Sequence, residues 1–304
     1  MASSIAIAER VDRVTRVKAA TLVSIGRWFF GLALVGLGAE HFVFRQFVTG
    51  RAPAWPAGVP GELVWVYSTG LLVILAGLAV LTRREGRQAA LGLSALVFAW
   101  AVVRHVPVVV ADTVLGGSWT SAGKALVFFG GSLAIAATFP PLPTATKAVW
   151  WRVANTVDPF LRIARYCLGA FLILCSLQHF KFLAFVATLI PAWFPGNAVS
   201  WSQLAGMALI TFGLGLLFAR TAALAALLAG LMIFSWFWIV HLPRVRTSVS
   251  DGIAIFEALA FSGVALVVAG ALTERRRGES ALSLRHGRAA LRSVDAHNTG
   301  RTGS

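Results

Sequence analysis

Charge is what this sequence has least of. Only 13% of its 304 residues are Asp, Glu, Lys or Arg, about half the ~25% of an ordinary soluble domain. Cysteine is nearly absent: Cys167 and Cys175 are the two present, eight positions apart in one apolar run. On a helix that is about 12 Å of rise, too far for a disulfide between them. No Cys-x-x-Cys occurs, so neither dithiol redox chemistry nor a cysteine-held metal is expected. These shortages exclude a soluble enzyme and a disulfide-stapled scaffold.

Apolar residues fill the gap. They make up 58% of the chain, with 29 Gly in addition, and the mean hydropathy is +0.77. A soluble core of this length cannot hide so much apolar surface. A spanning helix needs about 20 mostly apolar residues, and runs of that kind fall at 22–44, 62–82, 89–111, 123–140, 163–184, 199–219, 222–244 and 252–271. The expected fold is an all-α polytopic membrane protein with eight transmembrane helices. Its first partner is the lipid bilayer.

The net charge is +15, from 27 Lys and Arg against 12 Asp and Glu. In a soluble chain that excess points to nucleic acid. Beside apolar spans it reads instead as the cytoplasmic enrichment of Lys and Arg, and no nucleic-acid partner is expected. Assigned to the two sides of eight spans, the basic residues divide 20 to 7. That bias puts both termini in the cytoplasm of a bacterial-type inner membrane, that is, a plasma membrane. The first run has no small-residue cleavage site ahead of it, so it reads as a retained anchor.

The chain also repeats itself. Arg27 and Arg165 are 138 positions apart, as are His41-Phe42 and His179-Phe180, and Pro53-Ala54-Trp55 and Pro191-Ala192-Trp193. At an offset of 136, Trp65 matches Trp201, Gly70 matches Gly206, Trp100 matches Trp236, His105 matches His241 and Pro107 matches Pro243. At 133, Lys124 falls on Glu257. Constant offsets across rare residue types indicate a duplication. With four spans per repeat, an even number, the two four-helix bundles share one orientation. The expected organisation is a cytoplasmic segment at 1–21, a first membrane repeat at 22–140, an interfacial linker at 141–160 carrying Trp150 and Trp151, a second repeat at 161–272 and a basic, disordered cytoplasmic tail at 273–304.

Few polar residues sit at span depth, and they are the candidate site. His41 and His179 lie near the outer end of the first span of each repeat, His105 and His241 near the outer end of the third. Imidazoles at one depth can ligate a haem or metal, exchange protons with a quinone head group, or act as packing glue between helices. Sequence alone leaves these open, with metal and haem the least favoured. Glu40 precedes His41 and Gln178 precedes His179; Arg104 precedes His105 and Arg244 follows His241 by three. Ionisable groups at this depth usually face the bundle interior or a wet cavity, and Glu40 with Arg104 is a candidate ion pair. Lys124 and Glu257, equivalent in position and opposite in sign, are a candidate pair between the repeats. Pro107 and Pro243 each free a backbone carbonyl one turn back and predict a kink beside a histidine.

These features together resemble the DoxX-like family of small four-span membrane proteins. The resemblance rests on Arg27 and Arg165, on Gly38-Ala39-Glu40-His41-Phe42 and Ser176-Leu177-Gln178-His179-Phe180, on the Pro-Ala-Trp loops, on His241-Leu242-Pro243-Arg244, and on Trp119 with Lys124-Ala125-Leu126. It covers 22–140 and 160–272. A fused double copy departs from the family's usual single unit. The resemblance implies an accessory membrane subunit of a quinone-linked oxidoreductase, with a soluble or membrane redox partner carrying the electron-transfer centre. It assigns no catalytic residue. A small-solute transporter and a non-catalytic membrane scaffold are the other readings.

Overall fold

The computed structural model describes residues 2–47, 55–142, 153–245 and 249–299. Among them every regular element is a helix, and eight helices are long and apolar enough to cross a membrane. They are α1 (Ala2–Phe44), α2 (Glu62–Thr82), α3 (Gly86–Ala111), α4 (Gly117–Ala137), α5 (Asp158–Lys181), α6 (Ala198–Leu217), α7 (Ala222–Arg244) and α8 (Val249–Thr299). A short helix, Leu183–Ala187, follows α5.

Several boundaries differ from the sequence expectation: α1, α3 and α5 begin at Ala2, Gly86 and Asp158, ahead of 22, 89 and 163. Helix α4 begins at Gly117, six residues early. Its first turns are rich in Ser and Thr, which hides them from a hydropathy reading, but these hydroxyls are satisfied locally: Ser121 donates to the Gly117 carbonyl at 3.0 Å. The segment from 273, expected to be a disordered tail, continues α8 as helix to Thr299. It contains no proline and many Arg, Ala and Leu, all good helix formers, and it grows from a helix already nucleated in the core. Of the expected linker, residues 143–152, including Trp150 and Trp151, lie outside the described part, as do Pro53 and Ala54 of the first outer loop.

Each helix packs on its neighbours in sequence, and the halves are joined by α4 on α5 and by contacts of α8 with α1, α4 and α5. Helix α1 lies along α8, α4 lies along α5, and α4 meets α8. One hydrophobic core therefore runs through both halves, from Phe30 and Leu34 through Val127 and Leu168 to Val264 and Val268. Helices α4 and α8 are its centre. Small residues allow these approaches, as is usual where lipid removes the hydrophobic drive between helices. A Cβ on Gly70 would lie 2.9 Å from the Gly38 carbonyl oxygen, so α1 and α2 touch backbone to backbone. Gly31 and Gly77 make a like approach, repeated in the second half by Gly169 and Gly213, and at the positions equivalent to Gly38 and Gly70, Ser176 Oγ donates to the Gly206 carbonyl at 2.8 Å.

Helices α3 and α7 each widen at the same place. Ala101–His105 and Phe237–His241 are single π-turns, in which the Val106 N–H reaches back to the Ala101 carbonyl and the Leu242 N–H to the Phe237 carbonyl. Pro107 and Pro243 follow immediately. Proline has no N–H and its ring crowds the carbonyl four residues back, so the amide just before it takes a longer bond. Both π-turns end on a histidine, 136 positions apart.

Candidate functional site

A cavity of about 130 Å³ lies inside the first half. Helix α1 supplies Leu34, Leu37 and His41 to its wall, α2 supplies Thr69 and Val73, and α3 supplies Leu93, Leu96, Val97 and Trp100. Phe47 covers one side, and Phe128 of α4 and Glu257 of α8 complete it. The wall is apolar except for one imidazole, one carboxylate and one hydroxyl. A cavity of roughly 150 Å³ with apolar walls is known to admit a benzene ring, so this space is of the size to take one six-membered ring.

His41 is fixed before any ligand arrives. Its Nδ1 lies 2.8 Å from the Leu37 carbonyl oxygen, one turn back. A carbonyl only accepts, so Nδ1 carries the proton and donates. That leaves Nε2 as the nitrogen able to accept from a hydroxyl, or to donate to a carbonyl oxygen when protonated. The Phe47 ring meets the imidazole edge-on at 6.2 Å, and Phe47 packs on Trp100 at 4.6 Å. Glu257 enters the wall from the other half and is held by Lys124 in a buried ion pair. Glu40 is 8% exposed. Its Oε2 has no hydrogen-bond partner, and it lies within electrostatic reach of Glu257.

The remaining candidates fall elsewhere. Among the described residues Glu40 forms no ion pair with Arg104. The Arg104 guanidinium instead lies between two indole faces, 5.6 Å from Trp55 and 5.5 Å from Trp100. His105 is buried at the end of its π-turn and is not part of the cavity wall. In the second half, His179 repeats the His41 geometry, with Nδ1 2.7 Å from the Cys175 carbonyl oxygen, and stacks on Trp236 at 6.2 Å. Gln178 is committed to structure. Its Nε2 donates to the Leu115 and Gly116 carbonyls at 2.9 Å, and its Oε1 accepts from Thr120 Oγ1 at 2.9 Å. It thereby ties the α3–α4 connection to α5. Lys181 adds a bond to the Val114 carbonyl. His241 is half-buried at the end of the second π-turn, and Arg244 is half-buried just beyond it.

Two residues were missed by sequence reasoning. Arg87 is buried and gives four hydrogen bonds to backbone carbonyls: Ala136 and Phe139 at the end of α4, both at 3.0 Å, and Ala154 and Thr156 at 2.9 and 3.2 Å. A cation at a helix C-terminus is well placed against the dipole. Phe47 was missed as well, although the offset of 138 from His41-Phe42 places its equivalent at Phe185.

Among the described residues no group of three or more His, Cys, Asp and Glu is placed to hold a metal ion. A porphyrin is far larger than the cavity, which is of about the size of one six-membered ring, with an imidazole and a carboxylate in its wall. Comparison with protein families, with curated proteins and with solved structures finds no match.

Proposed function

We propose that this membrane protein binds a quinone-type lipophilic molecule in the first-half cavity and serves as a DoxX-like accessory subunit of a membrane oxidoreductase. The observation that carries the reading is the cavity itself: a ring-sized apolar space inside a helical bundle, with His41 and Glu257 in its wall. Ligand sites of this kind combine apolar walls with a few placed polar groups. A bound quinone would supply two-electron, two-proton redox chemistry. The chain's own groups bind and orient it: Trp100, Phe47 and Phe128 present ring faces or edges, His41 offers Nε2 to a ring oxygen, and Glu257 sets the local charge. The electron donor or acceptor is a partner, since no cysteine pair motif occurs in the sequence. The charge bias of the loops supports both termini facing the cytoplasm, with the histidine end of α1 toward the outer leaflet, and the recurrent offsets support two fused copies of one four-span unit.

The test is a titration of the purified full chain with a short-tailed benzoquinone, followed by quenching of tryptophan fluorescence. Saturable quenching is expected. His41→Gln should weaken binding about tenfold, the equivalent of one hydrogen bond of about 1.4 kcal/mol, and Val73→Phe, which fills the cavity, should abolish it. Absence of saturable binding, or binding that Val73→Phe leaves unchanged, overturns the reading.

A further inference from the structure

The surface joining the two halves pairs unlike with like position. Lys124 on α4 meets Glu257 on α8, and the two are 133 positions apart. One turn on, Phe128 meets Phe261 at 5.2 Å between ring centroids, again 133 apart. Next, Gly131 faces Val264, also 133 apart. These three pairs rise together along both helices, so α4 and α8 run parallel and touch at equivalent positions. A surface in contact with its own equivalent lies on a twofold relation, where identical halves would place each residue against itself.

Apart from the matched Phe128 and Phe261, the residues named at this seam differ between the halves, and each difference is complemented. Two copies of the first half would bury Lys124 against Lys124; two copies of the second would bury Glu257 against Glu257. Like charges in an apolar seam are strongly disfavoured. Gly131 and Val264 follow suit, since two glycines leave a gap and two valines compete for one space. The flanking contacts carry a second device. On the α1–α8 side, Gly36 receives the Phe256 ring. On the α5–α4 side the sizes are exchanged: Gly123 receives Leu174 and Phe171, with a Cβ at position 123 meeting them at 3.0 and 2.7 Å. Gly36 and Leu174 are equivalent at 138, and Gly123 and Phe256 at 133. A first half paired with itself would set Gly36 against Gly123 and leave a void. A second half paired with itself would set Leu174 against Phe256 and overfill the same space.

We propose that the seam is a heterotypic interface whose charges and side-chain sizes admit only the opposite half as partner, and reject a second copy of the same half. Steric and electrostatic mismatch of the wrong pairing is the usual means to such selectivity. One consequence is that the cavity beside His41 always receives Glu257, never a lysine, from across the seam. The inference concerns assembly and does not depend on what the cavity binds.

The test uses the full chain without its native thiols (Cys167→Ala, Cys175→Ala). A Cβ at Gly131 lies 3.3 Å from the Val264 Cβ, close to disulfide spacing. Gly131→Cys with Val264→Cys should therefore cross-link within one chain, and the halves should stay joined after cleavage at a protease site placed in 143–152, until a reductant is added. Gly131→Cys alone should give no covalent dimer. Charge exchange supplies a second readout: Lys124→Glu and Glu257→Lys should each lower Tm by about 5 °C or more, and the double variant should regain most of it. A covalent dimer from Gly131→Cys alone, failure of the paired cysteines to join the halves, or a double charge variant no better than the singles would each overturn the proposal.

Discussion

At the scale of single residues, Arg87 commits its guanidinium to four carbonyl oxygens, drawn from the end of α4 and from the chain leading into α5. Those carbonyls belong to a helix end, where intrahelical amide partners run out, and to a connection; the Ala136 carbonyl also accepts from the Phe139 amide, at 3.2 Å. Arg87→Ala leaves them facing a buried gap, and the expected loss is about 3 kcal/mol, given that charged hydrogen bonds are each worth roughly 1.5–3 kcal/mol and act here as one group. Arg87→Lys keeps the charge but not the planar fork and should recover about half. Chemical unfolding in detergent measures both, and equal losses for the two variants would contradict the account. The sequence shows Arg87 only as one cation among three in a short loop. Its partners are backbone atoms 49–69 positions away, and a backbone carbonyl leaves no signature in a sequence. Lys124 and Glu257 were legible by contrast, because rare residue types at a constant offset stand out in an apolar chain. The use of Gln178 was half legible: its position was plain, but its two bonds to the α3–α4 connection and one from Thr120 of α4 were not.

At the scale of elements, hydropathy located the eight helices well. Sequence places the seventh span at 222–244 and the structure at Ala222–Arg244; the second is 62–82 against Glu62–Thr82. The fourth was displaced because its polar residues look like loop until their internal partners are known. The π-turns were not legible as such. Proline predicted a kink, and the chain instead accommodates it by one wide turn ending on His105 and on His241. A π-turn carries about one residue more than the α-helix it interrupts. Deleting Val102, which is exposed within the first π-turn, should let the segment close into ordinary helix while keeping both flanks in phase. Deleting Val97, in the regular part of α3, shifts everything beyond it by about 100° and moves the Trp100 ring out of the cavity. The Val102 deletion should therefore keep Tm within a few degrees of the parent, and the Val97 deletion should not. Equal damage from the two would mean that the widened turn is itself required.

At the scale of the whole molecule, the sequence could not say which spans are central. Lipid tails are as apolar as a protein core, so a helix in lipid and a helix in the core share one composition. Helix α8 and the peripheral helices α2 and α7 have the same mean window hydropathy, 2.2, yet 78% of the α8 window is buried against 28% for each of the others. Burial is set by the cross-packing of α1 on α8 and α5 on α4, which no local pattern encodes. Two glycines separate the cases. A Cβ at Gly263 on α8 would meet the Gly26 carbonyl oxygen at 2.6 Å and the Phe30 amide at 2.9 Å, both backbone atoms of α1 that cannot turn aside. A Cβ at Gly92 on α3 meets nothing within 4 Å. The same change, glycine to alanine, should then have opposite signs. Gly92→Ala relieves a helix of its least favourable residue after proline and should stabilise by about 0.5–1 kcal/mol. Gly263→Ala forces α1 and α8 apart, and with them the seam that brings Glu257 to the cavity, so it should destabilise by about 1–3 kcal/mol, the range for overpacking a close contact. Thermal unfolding of the two variants beside the parent measures the signs. A Gly263→Ala protein as stable as the parent would mean that α1 does not lie against α8 in the membrane, and the single core through both halves would fall with it.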